Sequence, residues 1–227
     1  MRLPSSKQSA LRYPLSAILA SEGNVRVLRE LLRHGGALNA PHVARRVGMS
    51  PQHVRQILAS LHSVGVIEEV GQGRYVSYRA GAGHPLYRAL DDLFRKEDER
   101  FDAVLSAVRE ASAASGAVPL AVWLYGSVAR GEDTAESDVD IAVVMDDAVL
   151  EESVERIRER LHEAENRLAV SFSVVGLTPE DVGRLSAGDP WWADVQSDAL
   201  ALVGADPDRL AAQLRRARRP AEVGEKE

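Results

Sequence analysis

From Asn24 onward, apolar residues recur at three- and four-residue spacing. Val25, Leu28, Leu31 and Leu32 mark one face of a helix that Gly35-Gly36 stops. A second short helix follows Asn39, a good N-cap, with Val43, Ala44 and Val47 on one side before Gly48. Ser50-Pro51 opens a third with a cap and a first-turn proline; its buried stripe is Val54, Ile57, Leu58 and Leu61, and Gly65 ends it. The period then changes. Two short β-rich runs, 66–70 and 74–79, flank Gly71-Gln72-Gly73 and predict a hairpin. His84-Pro85 begins a long helix reaching Ala114, with an apolar seam of Leu86, Leu90, Leu93, Phe94, Phe101, Leu105 and Val108. From Leu120 strands alternate with helices. Strands are expected at 120–125, 139–145 and 168–175, a helix is lined by Leu150, Val154, Ile157 and Leu161, and Thr178 caps another.

Three helices followed by a hairpin, within about sixty residues, is the order of a winged helix-turn-helix. Strands separated by helices predict a mixed α/β domain after it. Charge divides the chain in the same place. Up to Gly83 there are 11 Lys and Arg against 4 Asp and Glu, and the remainder carries 17 against 30. A basic first third is suited to meeting phosphates, and the acidic remainder implies a different partner. Cysteine is absent, which excludes disulfides and Cys-type zinc sites. There is no apolar run of transmembrane length, and the N-terminus lacks the order of a signal peptide, so a cytoplasmic location is expected.

The stretch with the most chemistry runs from Leu124 to Val144, LYGSVARGEDTAESDVDIAVV. A strand ends at Tyr125, and Gly126-Ser127 makes the turn. Glycine lets the backbone approach a phosphate, to which exposed N–H groups and the Ser127 hydroxyl can donate. Asp138-Val139-Asp140 begins the next strand. Residues i and i+2 of a strand share a face, so both carboxylates can converge on Mg²⁺, which takes oxygen ligands and bridges to substrate phosphates.

Gly126-Ser127, ten residues, then Asp138-x-Asp140 resembles the signature of minimal nucleotidyltransferases of the DNA polymerase β superfamily. Ala129-Arg130-Gly131 and Ser137-Asp138 match its wording, and Asp189-Pro190-Trp191 with Ala201–Gly204 is similar to its closing segment. The likeness covers roughly residues 102–205. It implies Gly126, Ser127 and Arg130 as nucleotide-binding residues, Asp138 and Asp140 as catalytic residues and metal ligands, Mg²⁺ as cofactor and a nucleoside triphosphate, ATP, as partner. Active members carry a third carboxylate on the strand after the long helix. Here serines stand on that strand, and Ser171 is the expected occupant of the position. A neutral hydroxyl is a weaker ligand and no base at neutral pH.

The expected fold class is therefore α+β in two domains, an N-terminal winged helix-turn-helix and a C-terminal mixed α/β nucleotidyltransferase fold, joined by a long helix. The expected divisions are a flexible lead-in 1–20, the winged helix 21–83, the linking helix 84–112, the nucleotidyltransferase-like domain 113–219 and a disordered tail 220–227. The third helix is the one that enters the major groove of double-stranded DNA, offering Ser50, Gln52, His53, Arg55 and Gln56, with Arg74 at the wing tip. The helical seam suits a homodimer on a palindromic site. Three functions stay open: a DNA-binding regulator that also transfers a nucleoside monophosphate to an acceptor hydroxyl, one that only senses the nucleotide, and a protein-interaction module.

Overall fold

The computed structural model describes residue 9 and residues 11–73 and 76–218. Arg74, most of the lead-in before Leu11 and the tail from Arg219 lie outside the described residues. The described chain falls into two compact units that divide between Asp98 and Glu99.

The first unit contains α1 (Leu15–Ile18), α2 (Glu22–His34), α3 (Ala40–Val47), α4 (Pro51–Ser63), β1 (Ile67–Val70), β2 (Ser77–Ala80) and the beginning of α5 (Tyr87–Ala113). Side-chain oxygens set the helix starts. Ser21, Asn39 and Ser50 accept from the backbone N–H groups of Asn24, His42 and His53, each satisfying a donor that the first turn leaves free. Helix α2 thus starts two residues before Asn24. That residue is instead buried, and its amide donates to the carbonyls of Ala17 and Ile18, seating α1. The core joins Val27, Leu28 and Leu31 of α2 to Val43 and Val47 of α3 and to Ile57, Leu58 and Leu61 of α4. Leu90 and Phe94 of α5 close it.

Strands β1 and β2 pair antiparallel, with Val70 opposite Ser77. The second wing strand therefore begins later than the expected residue 74. Leu38 adds a bridge the residue pattern does not announce: its N–H donates to the Tyr78 carbonyl and its carbonyl accepts from the Tyr78 N–H, at 2.9 and 2.8 Å. This ties the turn between α2 and α3 to the hairpin.

The second unit contains the rest of α5, then β3 (Ala121–Tyr125), α6 (Gly126–Arg130), β4 (Val139–Val144), α7 (Asp147–Leu168), β5 (Phe172–Leu177), α8 (Pro179–Leu185), α9 (Pro190–Asp198), β6 (Leu200–Gly204) and α10 (Pro207–Arg218). The sheet order is β5-β4-β3-β6; β4 and β5 run parallel and the other pairs antiparallel. Alternation gives the sheet two apolar faces. Val122, Leu124, Val139, Ile141 and Val143 pack with Val104 and Val108 of α5 and Ile157 and Leu161 of α7. Trp123, Ala142 and Val144 face the other way, onto Val182 of α8, Trp192 and Val195 of α9 and Leu210 of α10.

Strand β5 lies later than the expected 168–175, because α7 continues to Leu168 and is ended by Ala169 in the left-handed region, at φ 52°. Arg100 donates to the carbonyls of Leu168 and Ala169, satisfying acceptors that the helix end leaves free. Strand β5 is a sheet edge, and side chains of α7 cover its outward backbone groups. Arg158 donates to the Val174 carbonyl at 2.8 Å, and Glu165 accepts from the Phe172 N–H at 3.1 Å. Among the described residues no helix is long and apolar enough to cross a membrane.

Leu58 is fully buried at the centre of the three-helix core. Leu58→Ala is expected to cost about 2–5 kcal/mol of first-unit stability, read as an earlier unfolding transition in urea. An unchanged midpoint would mean that the α2–α3–α4 packing is not what holds this unit.

Candidate functional site

The candidate nucleotide site forms where β3 and β4 meet at one end of the sheet. Tyr125, the last residue of β3, lies directly opposite Asp140, and Asp140 in turn lies beside Ser173 of β5. Cross-strand partners project from the same face. Tyr125, Asp140 and Ser173 therefore share the face covered by α8, α9 and α10, and strand alternation puts Asp138 there too. Val139 and Ile141 turn to the opposite core.

Gly126 follows Tyr125 with φ +76°, in the left-handed region that favours glycine. A Cβ built there would stand 2.5 Å from Asp140 Oδ2. Glycine is thus required twice, once for the turn and once so that the Asp140 carboxylate can lie against the backbone. Ser127 follows at the start of α6, half-buried, its hydroxyl without a hydrogen bond to another described residue. Gly131, also left-handed at φ +67°, ends α6, and the Glu132 N–H donates to the Ser127 carbonyl. Ser137 accepts from the Thr134 N–H, shaping the loop that delivers exposed Asp138.

The electrostatics are those of a site short of positive charge. Burial pushes the Asp140 carboxyl above the usual carboxylate range, repulsion from Asp138 adds to this, and the hydrogen bond to Ser173 opposes it. Burial and then the charge of Asp140 raise the Tyr125 hydroxyl as well, with a hydrogen bond to Trp191 working against them. A divalent cation between the carboxylates would relieve both effects, and two carboxylates completed by substrate phosphates are a normal Mg²⁺ donor set. The residues fit the ion. No cluster of three or more His, Cys, Asp or Glu suited to a metal gathers among the described residues.

One expected residue stands elsewhere than the sequence pattern predicts, and another is already paired. Ser173, not Ser171, is beside Asp140; the Ser171 carbonyl instead accepts from the Val139 N–H. Arg130 is engaged by two carboxylates, at 2.8 Å from both Glu132 and Asp198, which tie α6 to its own loop and to the end of α9. The hydrogen bonds that Arg130 donates to these acids raise the guanidinium above its ordinary range, and the Arg130 bond holds Asp198 below its own. Glu165, near the expected strand in sequence, lies away from this site, capping β5 and bonded to His162.

In the first unit, Ser50, Gln52, His53, Arg55 and Gln56 are all exposed along α4. Ser50 spends its hydroxyl oxygen on the cap. Six of the unit's described arginines are paired internally: Arg26 with Glu22, Arg29 with Glu97, Arg33 with Asp98, Arg46 with Glu30, Arg79 with Glu68 and Arg95 with Asp92. Arg45 on α3 and Arg55 on α4 have no ion pair to another described residue, and both are exposed. The acids of the wing are held by their own neighbours. Glu68 takes Arg79, while Glu69 stands 4.0 Å from His62 and helps to raise Tyr78.

Residues 112–184 match the family model described as Polymerase beta, Nucleotidyltransferase. The match contains Gly126, Ser127, Asp138, Asp140 and Ser173; the chain thus joins a winged helix to a nucleotidyltransferase domain. No curated protein matches. Among solved structures, an AntR antimony-specific transcriptional repressor is 25% identical, with a TM-score of 0.36, over 45% of this chain and 90% of that one. An ArsR-like transcriptional regulator from Rhodococcus sp. RHA1 is 29% identical, with a TM-score of 0.30, over 45% of this chain and 94% of its own. A toxin-antitoxin with AMP-PNP is 18% identical, with a TM-score of 0.34, over 50% of this chain and 85% of that one.

A raised Asp140 pKa has a definite sign in stability. The folded state resists ionising this group, so its contribution is fully present below the unfolded carboxylate pKa and is lost as pH rises through the higher folded value. Without divalent cations, Asp140→Asn is expected to melt higher than the wild type at neutral pH. The gain should fade once pH falls below the ordinary carboxylate range. A variant no more stable at neutral pH would show that the carboxylate is not strained in place.

Proposed function

We propose that this chain is a DNA-binding transcriptional regulator whose nucleotidyltransferase domain binds a Mg–nucleoside triphosphate, ATP, and transfers the nucleoside monophosphate to an acceptor hydroxyl. The observation that carries the nucleotide reading is the close approach of the Asp140 carboxylate to the Gly126 backbone, with Asp138 on the same face. Asp138 and Asp140 would hold Mg²⁺, which supplies charge neutralisation to the triphosphate when bound. The backbone at Gly126 and the free Ser127 hydroxyl would donate to phosphate oxygens. The oxygen of an acceptor hydroxyl then attacks the α-phosphorus and its proton passes to solvent, the α–β phosphoanhydride bond breaks and pyrophosphate leaves, with positioning doing most of the catalytic work.

Ser173 favours a second reading, nucleotide sensing without transfer. With a hydroxyl where a third acid would stand, no carboxylate is free to take the acceptor's proton, and chemistry is slow. Arg130 joins the phosphates only by leaving Asp198 and Glu132.

The DNA reading is carried by the exposure of Gln52, His53, Arg55 and Gln56 on one helix, with Arg45 on the adjacent one; neither arginine is ion-paired to another described residue. Arg55 and Gln56 are base-reading types; Arg45 suits the phosphate backbone. Exposed Leu15 and Leu93 in the same unit leave apolar surface for a second copy, as a palindromic operator requires. A cytoplasmic location follows from this reading.

Label from α-³²P-ATP with Mg²⁺ is expected in protein or nucleic acid with the wild type and to vanish with Asp140→Ala. Ser173→Asp is expected to increase it. Nucleotide binding without label from any of the four triphosphates would select sensing over transfer. For DNA, Arg55→Ala is expected to weaken a duplex selected from a random pool by about tenfold. Equal affinity of variant and wild type would remove α4 from the interface.

A further inference from the structure

The chain has three tryptophans. Trp123 and Trp192 are buried between the sheet and α9, where their rings meet edge to face at 5.7 Å and 77°. Trp191 is next in sequence, about 100° around the helix from its neighbour, and remains half-exposed. It lies against Tyr125, with ring centroids 5.4 Å apart and planes at 85°. Tyr125 immediately precedes Gly126 and projects from the same face as Asp140. The second aromatic pair therefore borders the phosphate and cation end of the site.

The helix that carries Trp191 is held at both ends. Asp189 accepts from the Trp191 and Trp192 N–H groups at one end, and Asp198 takes Arg130 at the other. Trp192 anchors the middle of this packing. Trp192 is buried in the core, whereas Trp191 is only partly buried against it, beside the carboxylates. A partly buried ring held at that place is a surface for another π system. Bases stack on such surfaces without needing a particular hydrogen-bond pattern.

Resting on the nucleotide reading above, we propose that the base of the bound nucleotide stacks on Trp191, which Tyr125 backs at right angles, and that this wall prefers purines to pyrimidines. The two-ring base covers more aromatic surface and gains more dispersion and burial. Specificity at this wall is for ring size and not for one base edge, so ATP and GTP bind alike and CTP and UTP bind less tightly.

The full-length protein with Mg²⁺ is titrated with each triphosphate and with inorganic tripolyphosphate, following binding by equilibrium dialysis and tryptophan fluorescence. Trp191 is the partly exposed fluorophore, so ATP is expected to quench emission and tripolyphosphate to leave it nearly unchanged. Trp191→Ala is expected to weaken ATP about tenfold or more, leaving tripolyphosphate affinity as in the wild type. Trp191→Phe should retain most ATP affinity. Wild-type ATP affinity in Trp191→Ala overturns the proposal, as does equal weakening of ATP and tripolyphosphate. Equal affinity for all four bases overturns the purine preference. If the wild type binds tripolyphosphate and no nucleotide more tightly, the phosphate end stands and the wall does not. If it binds neither, the nucleotide reading itself falls, and this inference with it.

Discussion

The second unit is organised around a carboxylate pressed against a backbone. Asp140 can occupy its place only because the residue opposite its side chain, Gly126, has no side chain of its own. Half-buried and close to Asp138, it is an unfavourable place for a negative charge. The sheet supplies the restraint. Tyr125, Asp140 and Ser173 form one row across three strands, and the next row on that face is Trp123, Ala142 and Val175. Moving β4 by one residue would send Asp138 and Asp140 into the apolar core on the far side. The packing of Trp123 beneath the row is therefore what keeps two acids at the surface.

Much of this was legible because it is local. A cap is a side-chain oxygen and a backbone N–H three residues apart, so Asn39, Ser50 and Thr178 could be read directly. The shared face of Asp138 and Asp140 follows from strand periodicity. Other features depend on distance in sequence. Nothing in residues 165–175 marks the end of α7, because the left-handed position that ends it is filled by Ala169, where glycine or asparagine would have signalled a stop. The residue pattern consequently puts the following strand too early, and points to Ser171 where Ser173 stands. Leu38 makes its bridge alone, too short a run to carry a period. Arg130 finds Asp198 sixty-eight residues away, a pairing that no motif records.

Net charge proved a coarse guide in the first unit. The basic excess up to Gly83 suggests a broadly cationic surface, yet five of the arginines in that stretch are matched to carboxylates, two of them to Glu97 and Asp98 later in the chain. Among the described residues of that stretch, these pairs leave Arg12, Arg45 and Arg55, the last two on adjacent helices. Exposed pairs contribute little stability individually, but each one subtracts a cation from the field around the molecule.

The covered edge of β5 also decides how the sheet can grow. The carbonyls of Ser171 and Leu177 bond toward β4, so Phe172, Val174 and Gly176 present their polar groups outward. With Glu165 on the Phe172 N–H and Arg158 on the Val174 carbonyl, an arriving strand meets two groups that are already occupied, and it must break those bonds to pair along the full edge. The Phe172 N–H and His162 also hold the Glu165 carboxyl below its usual range. On this side, the sheet is a poorer template for a neighbour, the route by which open edges seed aggregation.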